Sequence, residues 1–218
     1  MIEIISKSVF DSNCDLLVNT INCKGVMGAG IALEFSLRYP EMYESYKRDC
    51  ATGSIRVGET KIYECNGQKI LNFPTKDDPY KKSEIKFIVL GLEYFVKNYK
   101  NFNVKSVAFP LLGCRNGGLD FEKDVKDIIL KYLSIPQELD IKICLNQEGA
   151  QGLELQMLTL LKNIDVFKLV EELDLDIDAK KLSTSIFNIQ RLNDLACAKH
   201  LKNEEMYRKI WLYIRNKI

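Results

Sequence analysis

The chain has 218 residues with 31 Lys and Arg against 30 Asp and Glu, a formal charge of +1 that gives no global field for gathering nucleic acid, so any such contact must be local. That length is enough for one substantial domain with a real core plus a small appendage. No apolar run approaches the roughly 20 residues needed to span a bilayer, and no membrane association is expected.

The N-terminal stretch MIEIISKSVF lacks the charged and apolar regions of a secretory signal, and the seven cysteines are odd in number without C-x-x-C spacing. Reduced thiols in a cytoplasm are expected. From the N-terminus onward, short runs rich in β-branched residues alternate with stretches of helical period, the pattern of an α/β layer fold. Strands are predicted at 2–5, 16–21, 61–64, 69–73, 106–109 and 141–145, and Asn66-Gly67 reads as a hairpin turn within a mixed sheet. A helix is predicted from a glycine-rich loop between Gly28 and Tyr39, with Pro40 opening the next over 41–50. Ile85, Ile88, Leu92, Phe95, Val96 and Tyr99 share one helical face, as do Phe121, Val125, Ile128, Ile129 and Leu133 after an Asp120 N-cap.

After Leu145 the texture changes. A polar, glycine-bearing joint at 146–152 is followed by no strand candidate, so the chain divides into residues 1–148 and a helical module over 149–218. Residues 153–218 read as helical throughout, with Met206, Tyr207, Ile210, Trp211 and Ile214 as an apolar stripe. Charge is split within this segment: 165–178 holds six acids and one Lys, whereas 191–217 holds seven bases and three acids. These are solvated helix faces or a docking surface for a protein or nucleic acid.

Two glycine loops carry the chemistry. In the first, the strand ending Val18-Asn19-Thr20-Ile21-Asn22 passes through Cys23-Lys24-Gly25-Val26-Met27-Gly28-Ala29-Gly30 into a helix. Such a loop brings backbone N–H groups and a helix N-terminus to a phosphate, or it merely reverses the chain. It lacks G-x-G-x-x-G spacing. Gly25 and Gly30 have Walker spacing, but Ile31 stands where the phosphate-gripping Lys belongs, which disfavours nucleoside-triphosphate chemistry. The second loop, Leu111-Leu112-Gly113-Cys114-Arg115-Asn116-Gly117-Gly118-Leu119-Asp120, also joins a strand to a helix. Two such loops at neighbouring strand ends suit a diphosphate. Cys114 reads as a buried structural thiol, because the one His, His200, lies in the appended segment. Lys76, at the end of an apolar strand and after Pro74, is either a solvated lysine beside Lys81, Lys82 and Lys86 or an ammonium placed for catalysis.

Together, Asn19-Thr20-Ile21-Asn22-Cys23, Gly25-Val26-Met27-Gly28 and Gly30-Ile31-Ala32 with Asn72-Phe73-Pro74-Thr75-Lys76 and Phe109-Pro110 through Asp120 resemble the macrodomain family, nearest its DarG-type branch of DNA ADP-ribosyl glycohydrolases. The resemblance covers residues 1 to about 146. It implies a three-layer α/β/α fold with a central mixed sheet, and ADP-ribose bound over the strand ends as ligand and product, with no cofactor. Gly28, Ala29, Gly30 and Ile31 would then line the first loop and Gly113, Cys114, Asn116, Gly117, Gly118 and Leu119 the second, with Asn22 facing the distal ribose and Ser8 and Val9 on the adenine side. Lys76 matches the catalytic lysine of the branch: it would stabilise a departing base anion, donate a proton, or attack C1″. Ser8 stands where the family commonly has an acid, and Gly117 where the protein-directed relatives have an Asp. The substrate implied is an ADP-ribosylated base, thymidine, in single-stranded DNA, the partner a DarT-like ADP-ribosyltransferase, and the role that of an antitoxin. The alternatives are release of phosphate from ADP-ribose 1″-phosphate and a reader of ADP-ribose without turnover. No metal ligand set is evident.

Overall fold

The computed structural model describes residues 1–196 and 204–218. Cys197 and His200 lie outside the described residues. The chain forms two compact units, Met1–Glu148 and Gly149–Ile218.

In the first unit, β1 (Ile2–Ile5), β2 (Leu16–Ile21), β3 (Lys61–Cys65), β4 (Gln68–Pro74), β5 (Ser106–Pro110) and β6 (Asp140–Cys144) build one sheet in the order β1-β6-β5-β2-β4-β3. Every neighbouring pair is parallel except β3 with β4. These two strands are joined through Asn66 and Gly67, with φ of 52° and 76°, the left-handed pair that a tight two-residue hairpin requires. The carboxyl ends of β1, β6, β5, β2 and β4 therefore lie along one edge. At ~4.8 Å per strand they span about 19 Å.

Alternation along the strands separates two apolar layers. Leu16, Val18, Leu71, Phe73, Val107, Phe109, Ile141 and Ile143 face α3 (Ile85–Asn98) and α4 (Lys126–Leu133). Leu17, Ile21, Ile70, Ala108 and Cys144 face the layer of α1 (Gly30–Arg38) and α2 (Pro40–Ala51). The architecture is a three-layer α/β/α sandwich, as the sequence predicts. One detail differs: the helix expected from Phe121 begins with a π-helical turn, Phe121–Val125, before α4. Asp120 does cap it, accepting from the Lys123 N–H at 2.9 Å, and the Asp124 carboxylate returns to the Asp120 N–H at 2.8 Å. That reciprocal bond reaches four residues rather than the three of a capping box, in keeping with a wider turn.

In the second unit the helical stretch is broken into α5 (Gly152–Asn163), α6 (Val166–Glu172), α7 (Ala179–Asn188), a 3₁₀ turn (Leu192–Ala196) and α8 (Glu204–Arg215). Its breaks account for part of the acidic tract. Asp165 caps α6 through the Phe167 and Lys168 N–H groups, and Asp178 caps α7 through that of Lys181. Tyr207, Ile210, Trp211 and Ile214 of the expected stripe are buried, while Met206 is only partly so. Arg191 does not belong to a basic surface: its guanidinium is buried against the Glu154 carboxylate, which also accepts from the Leu192 N–H at 2.9 Å.

Close helix-to-sheet contact in the first unit depends on Gly91, where a Cβ would stand 2.3 Å from Cζ of the fully buried Phe73. Gly91→Ala should therefore lower unfolding stability by about 1–3 kcal/mol despite alanine's better helix propensity. Adding Phe73→Leu should recover part of that loss. Urea unfolding of the two single variants and the double variant measures this, and additive losses would show that the two side chains do not compete for the same space.

Candidate active site

Three loops converge at the edge formed by the parallel strand ends. The first follows β2. Asn22, only 8% exposed, organises it: Oδ1 accepts from the Lys24 N–H at 2.9 Å and the Val26 N–H at 3.5 Å, and Nδ2 donates to the Val26 carbonyl at 2.6 Å. From α2 below, the Tyr46 hydroxyl reaches the Asn22 carbonyl at 2.7 Å and Oδ1 at 3.2 Å. Tyr46 is fully enclosed, and desolvation raises its phenol well above the usual range, so it stays a neutral donor. Asn22 thus holds the loop through Oδ1 and one Nδ2 hydrogen, which leaves the second Nδ2 hydrogen without a bond of its own in this set.

The loop then anchors on buried Met27, passes half-buried Gly28 and exposed Ala29, and enters α1 at Gly30. Ala29 is the N-cap and supplies no side-chain hydrogen bond. The opening N–H groups of α1, at Gly30, Ile31 and Ala32, are consequently left for an external acceptor, with the positive end of the helix behind them. Ile31 packs partly buried on the α1/α2 core. At Gly30, φ is +58° and a Cβ would lie 2.8 Å from the Asn116 amide nitrogen, which brings the first loop against the second.

The second loop, after β5, is tightly self-bonded. The N–H groups of Cys114, Gly117, Gly118 and Leu119 go to the carbonyls of Leu111, Cys114, Arg115 and Gly113. Its glycines answer to packing: a Cβ on Gly117 would sit 2.5 Å from Ser83 Oγ, and one on Gly113 2.9 Å from Ile88 and Leu119 methyls. Gly118, at φ +80°, lies under the Lys82 stem. The expectation that these glycines make room for a diphosphate therefore has a competing cause, the close passage of the chain at 82–88. Arg115 holds φ 52°, a left-handed conformation uncommon for a residue with a side chain, and its guanidinium donates to the Asn146 carbonyl at 3.3 Å. Asn116 is exposed, and Leu119 is partly buried. Cys114 is half-buried with its thiol on the Leu112 carbonyl, and burial pushes its pKa up to about 11, which makes it a poor nucleophile.

Lys76 opens the third loop, after β4. Its Nζ donates to the Asn116 carbonyl at 2.7 Å, and desolvation lowers its pKa below the usual lysine value. The same segment is tied to the first loop, where the Cys23 N–H meets the Asp77 carbonyl at 3.3 Å, and to the second, where the Ser83 N–H meets the Gly117 carbonyl at 2.9 Å. Lys76, the N-terminus of α1 and the second loop are therefore neighbours, although 40 residues separate Lys76 from Asn116. Ser8 and Val9 lie after β1, at the far end of the edge. Ser8 is buried and accepts from the Phe10 N–H at 3.4 Å as the cap of a 3₁₀ turn, and Val9 is in the core.

Sequence reasoning missed Tyr46, Ser83 and the strained Arg115. Tyr46 falls within an ordinary amphipathic helix and Ser83 in a polar loop, so neither carries a local signal. Asn19 is buried in the sheet with Nδ2 on Asn72 Oδ1 at 2.9 Å. A cavity of about 550 Å³ lined by Asp15, Tyr99, Lys105 and Glu138 lies at the opposite, amino ends of the strands, away from these loops. Among the described residues, no group of three or more His, Cys, Asp or Glu is disposed to hold a metal ion, and no helix is long and apolar enough to cross a membrane.

This architecture and loop arrangement define a three-layer α/β module, and residues 18–128 match the Macro domain family, to which the chain belongs. A Mycobacterium tuberculosis protein named DNA ADP-ribosyl glycohydrolase is 36% identical over 158 residues, 71% of this chain. The match spans 45% of that protein, so the chain corresponds to about half of its relative's length. The solved macrodomain of Mycobacterium tuberculosis DarG superposes with a TM-score of 0.64 at 36% identity, over 66% of this chain and 97% of the other. Thermosipho africanus DarTG in complex with ADP-ribose gives 0.62 at 29% identity, over 71% of this chain and 44% of that one.

The bonding around Asn22 makes Tyr46 a support of the first loop. Tyr46→Phe should cost about 1–2 kcal/mol of stability, since it leaves buried acceptors without their donor, and should speed hydrogen exchange at Lys24 and Val26. Exchange at these amides unchanged from wild type would show that the loop stands without the hydroxyl.

Proposed function

We propose that the first unit binds ADP-ribose along the edge of strand ends and hydrolyses its N-glycosidic bond to a DNA base, thymidine, in a single strand. The observation that carries this is the Lys76 ammonium, bonded to the Asn116 carbonyl at 2.7 Å beside the uncapped N-terminus of α1. The names of the relatives support the reaction class. The row of parallel strand ends, about 19 Å long by strand spacing, is a length that a dinucleotide-sized ligand can follow, from the Ser8 end to Lys76.

In this reading the diphosphate rests on the N–H groups of Gly30, Ile31 and Ala32, and the second loop closes the other side. The C1″–base bond breaks, and water supplies the oxygen that joins C1″. Lys76 starts protonated, stabilises the charge developing on the leaving base and gives it a proton, and the proton released by the attacking water then restores the ammonium. Attack on C1″ by the free amine is the competing role for the same nitrogen. The residues that do this work are Lys76 and the backbone of the two loops, with Gly28, Ala29 and Gly118 shaping the walls. A DarT-like ADP-ribosyltransferase as the source of the modified base, and an antitoxin role, belong to the same proposal.

Lys76→Ala should leave ADP-ribose affinity within a few-fold and cut hydrolysis of ADP-ribosylated single-stranded DNA by about 100- to 10,000-fold. As the active form is protonated and its pKa is lowered, wild-type turnover should fall as pH rises through a value below that of an ordinary lysine. Lys76→Arg, if active, should hold its rate to higher pH. The sign for stability is opposite. Unfolding restores the ordinary pKa and takes up a proton, so this group's contribution to stability rises with pH between the two values. Calorimetry of ADP-ribose and a gel assay over pH check the set, and full turnover by Lys76→Ala would remove the residue from the mechanism. Phosphate release from ADP-ribose 1″-phosphate, or tight ADP-ribose binding with no turnover of any linkage, would replace the reaction proposed.

We also propose that Met1–Glu148 is the unit that binds and cleaves, with Gly149–Ile218 a separately folded helical attachment. A chain ending at Gly149 should keep both ADP-ribose binding and hydrolysis. If that chain folds yet loses both, the second unit completes the site.

A further inference from the structure

The seven residues from Asp77 to Ser83 form a loop whose ends are each bonded to one of the glycine loops, at Cys23 and at Gly117. Inside it Asp78 makes a turn, accepting from the Tyr80 N–H at 2.8 Å through Oδ1 and from the Lys81 N–H at 3.3 Å through its carbonyl. This bonding holds the loop out rather than folding it inward. At its tip Tyr80 is 97% exposed, the largest exposure of any aromatic described. An aromatic ring held clear of the core leaves its faces open for stacking.

Lysines stand near both ends of this loop. Lys82 lays its stem over Gly118 on the side of the second loop, and exposed Lys24 follows Cys23 on the side of the first. Each acid of this stretch has a neighbour, although Oδ1 of Asp77 is buried without a hydrogen-bond partner. Asp77 faces Lys81 at 3.8 Å, Asp78 is bonded to its own turn, and Glu84 pairs with Lys86 at 2.9 Å. An exposed ring in a loop whose ends adjoin Lys24 and Lys82, neither in an ion pair among the described residues, combines a stacking platform with charges for a backbone. With a net charge of only +1 on the whole chain, this is where local charge complementarity can act.

We propose that Tyr80, Lys82 and Lys24 form a subsite for the single strand flanking the modified base: the ring stacks on a neighbouring base while the ammonium groups take the phosphates on either side. The subsite deepens the proposed function and rests on that reading for its role, though not for strand binding itself. Stacking is indifferent to base identity, so the subsite confers preference for a strand over a lone nucleoside rather than for a sequence.

The full chain is tested by fluorescence anisotropy on an unmodified, labelled single strand of about 12 nucleotides, within the site sizes typical of such surfaces. Tyr80→Ala should weaken binding about tenfold and Tyr80→Phe should not. Lys24→Gln and Lys82→Gln should each reduce the slope of log affinity against log salt by about 0.7. In turnover, Tyr80→Ala should slow hydrolysis of the ADP-ribosylated strand and leave that of ADP-ribosylated thymidine nucleoside unchanged. Absence of strand binding by wild type, equal binding by Tyr80→Ala, or an equal loss on an ADP-ribosylated peptide would overturn the subsite. If Tyr80→Ala weakens the strand while wild type hydrolyses neither substrate, the subsite stands and the glycohydrolase reading falls. If wild type hydrolyses both and Tyr80→Ala changes neither, the reverse holds.

Discussion

One short segment, Lys76 to Ser83, ties the site together, because its two ends are bonded to the backbones of the two glycine loops. The Cys23 N–H fixes it at Asp77, the Ser83 N–H fixes it to the Gly117 carbonyl, and the Lys76 ammonium crosses to the Asn116 carbonyl. Each bond joins chain segments that the sequence keeps far apart. Loops that emerge from neighbouring parallel strands must pass close to one another, and bonding between their backbones converts that proximity into a fixed shape. The absence of side chains at Gly30, Gly113 and Gly117 makes room for the side chains of Asn116, Ile88, Leu119 and Ser83 to pack against the loops.

The supports beneath are of two kinds. On the α1/α2 side they are polar: Tyr46 reaches up to Asn22, and Asn22 holds Lys24 and Val26, so the first loop is braced by hydrogen bonds that stay strong because water is excluded. On the α3/α4 side the support is steric, since Gly91 admits Phe73 and so lets the helix carrying Ile88 settle under Gly113. The rigidity needed to hold an ammonium and a helix N-terminus in fixed relation thus arises from both layers of the sandwich.

Lys76 gains its character from this placement rather than from its own neighbours in sequence. Lys81 and Lys86 sit in the same stretch, yet each pairs with a nearby acid and remains in solvent. Lys76 is partly withdrawn from water, which is why its proton is held less firmly, while its amine donates to a backbone carbonyl. The same contrast holds for cysteine: burial raises the thiol of Cys114 away from reactivity although it sits in the loop nearest to Lys76's partner.

Much of this was legible in the sequence. Strand periodicity, the Asn66-Gly67 turn, Pro40 and the Asp120 cap are local, decided within a few residues by backbone sterics and hydrogen bonding, so the elements could be read in order. The three-residue-type pattern of the loops, with the strand ending at Lys76, also identified the family, because those residue choices are set by the fold they must allow. What the sequence by itself could not decide was which atoms face which. The same glycines suit a phosphate or a passing chain, and only tertiary packing assigns Gly113 and Gly117 to contact with Ser83 and Ile88. Asn22 could stand free at a strand end, and only the approach of Tyr46 from another helix shows that its oxygens brace the loop. Arg191 could be a surface charge until Glu154 is found buried against it. In each case the deciding partner comes from a distant part of the chain, and long-range pairing is a property of the folded layers, which local sequence preference does not encode.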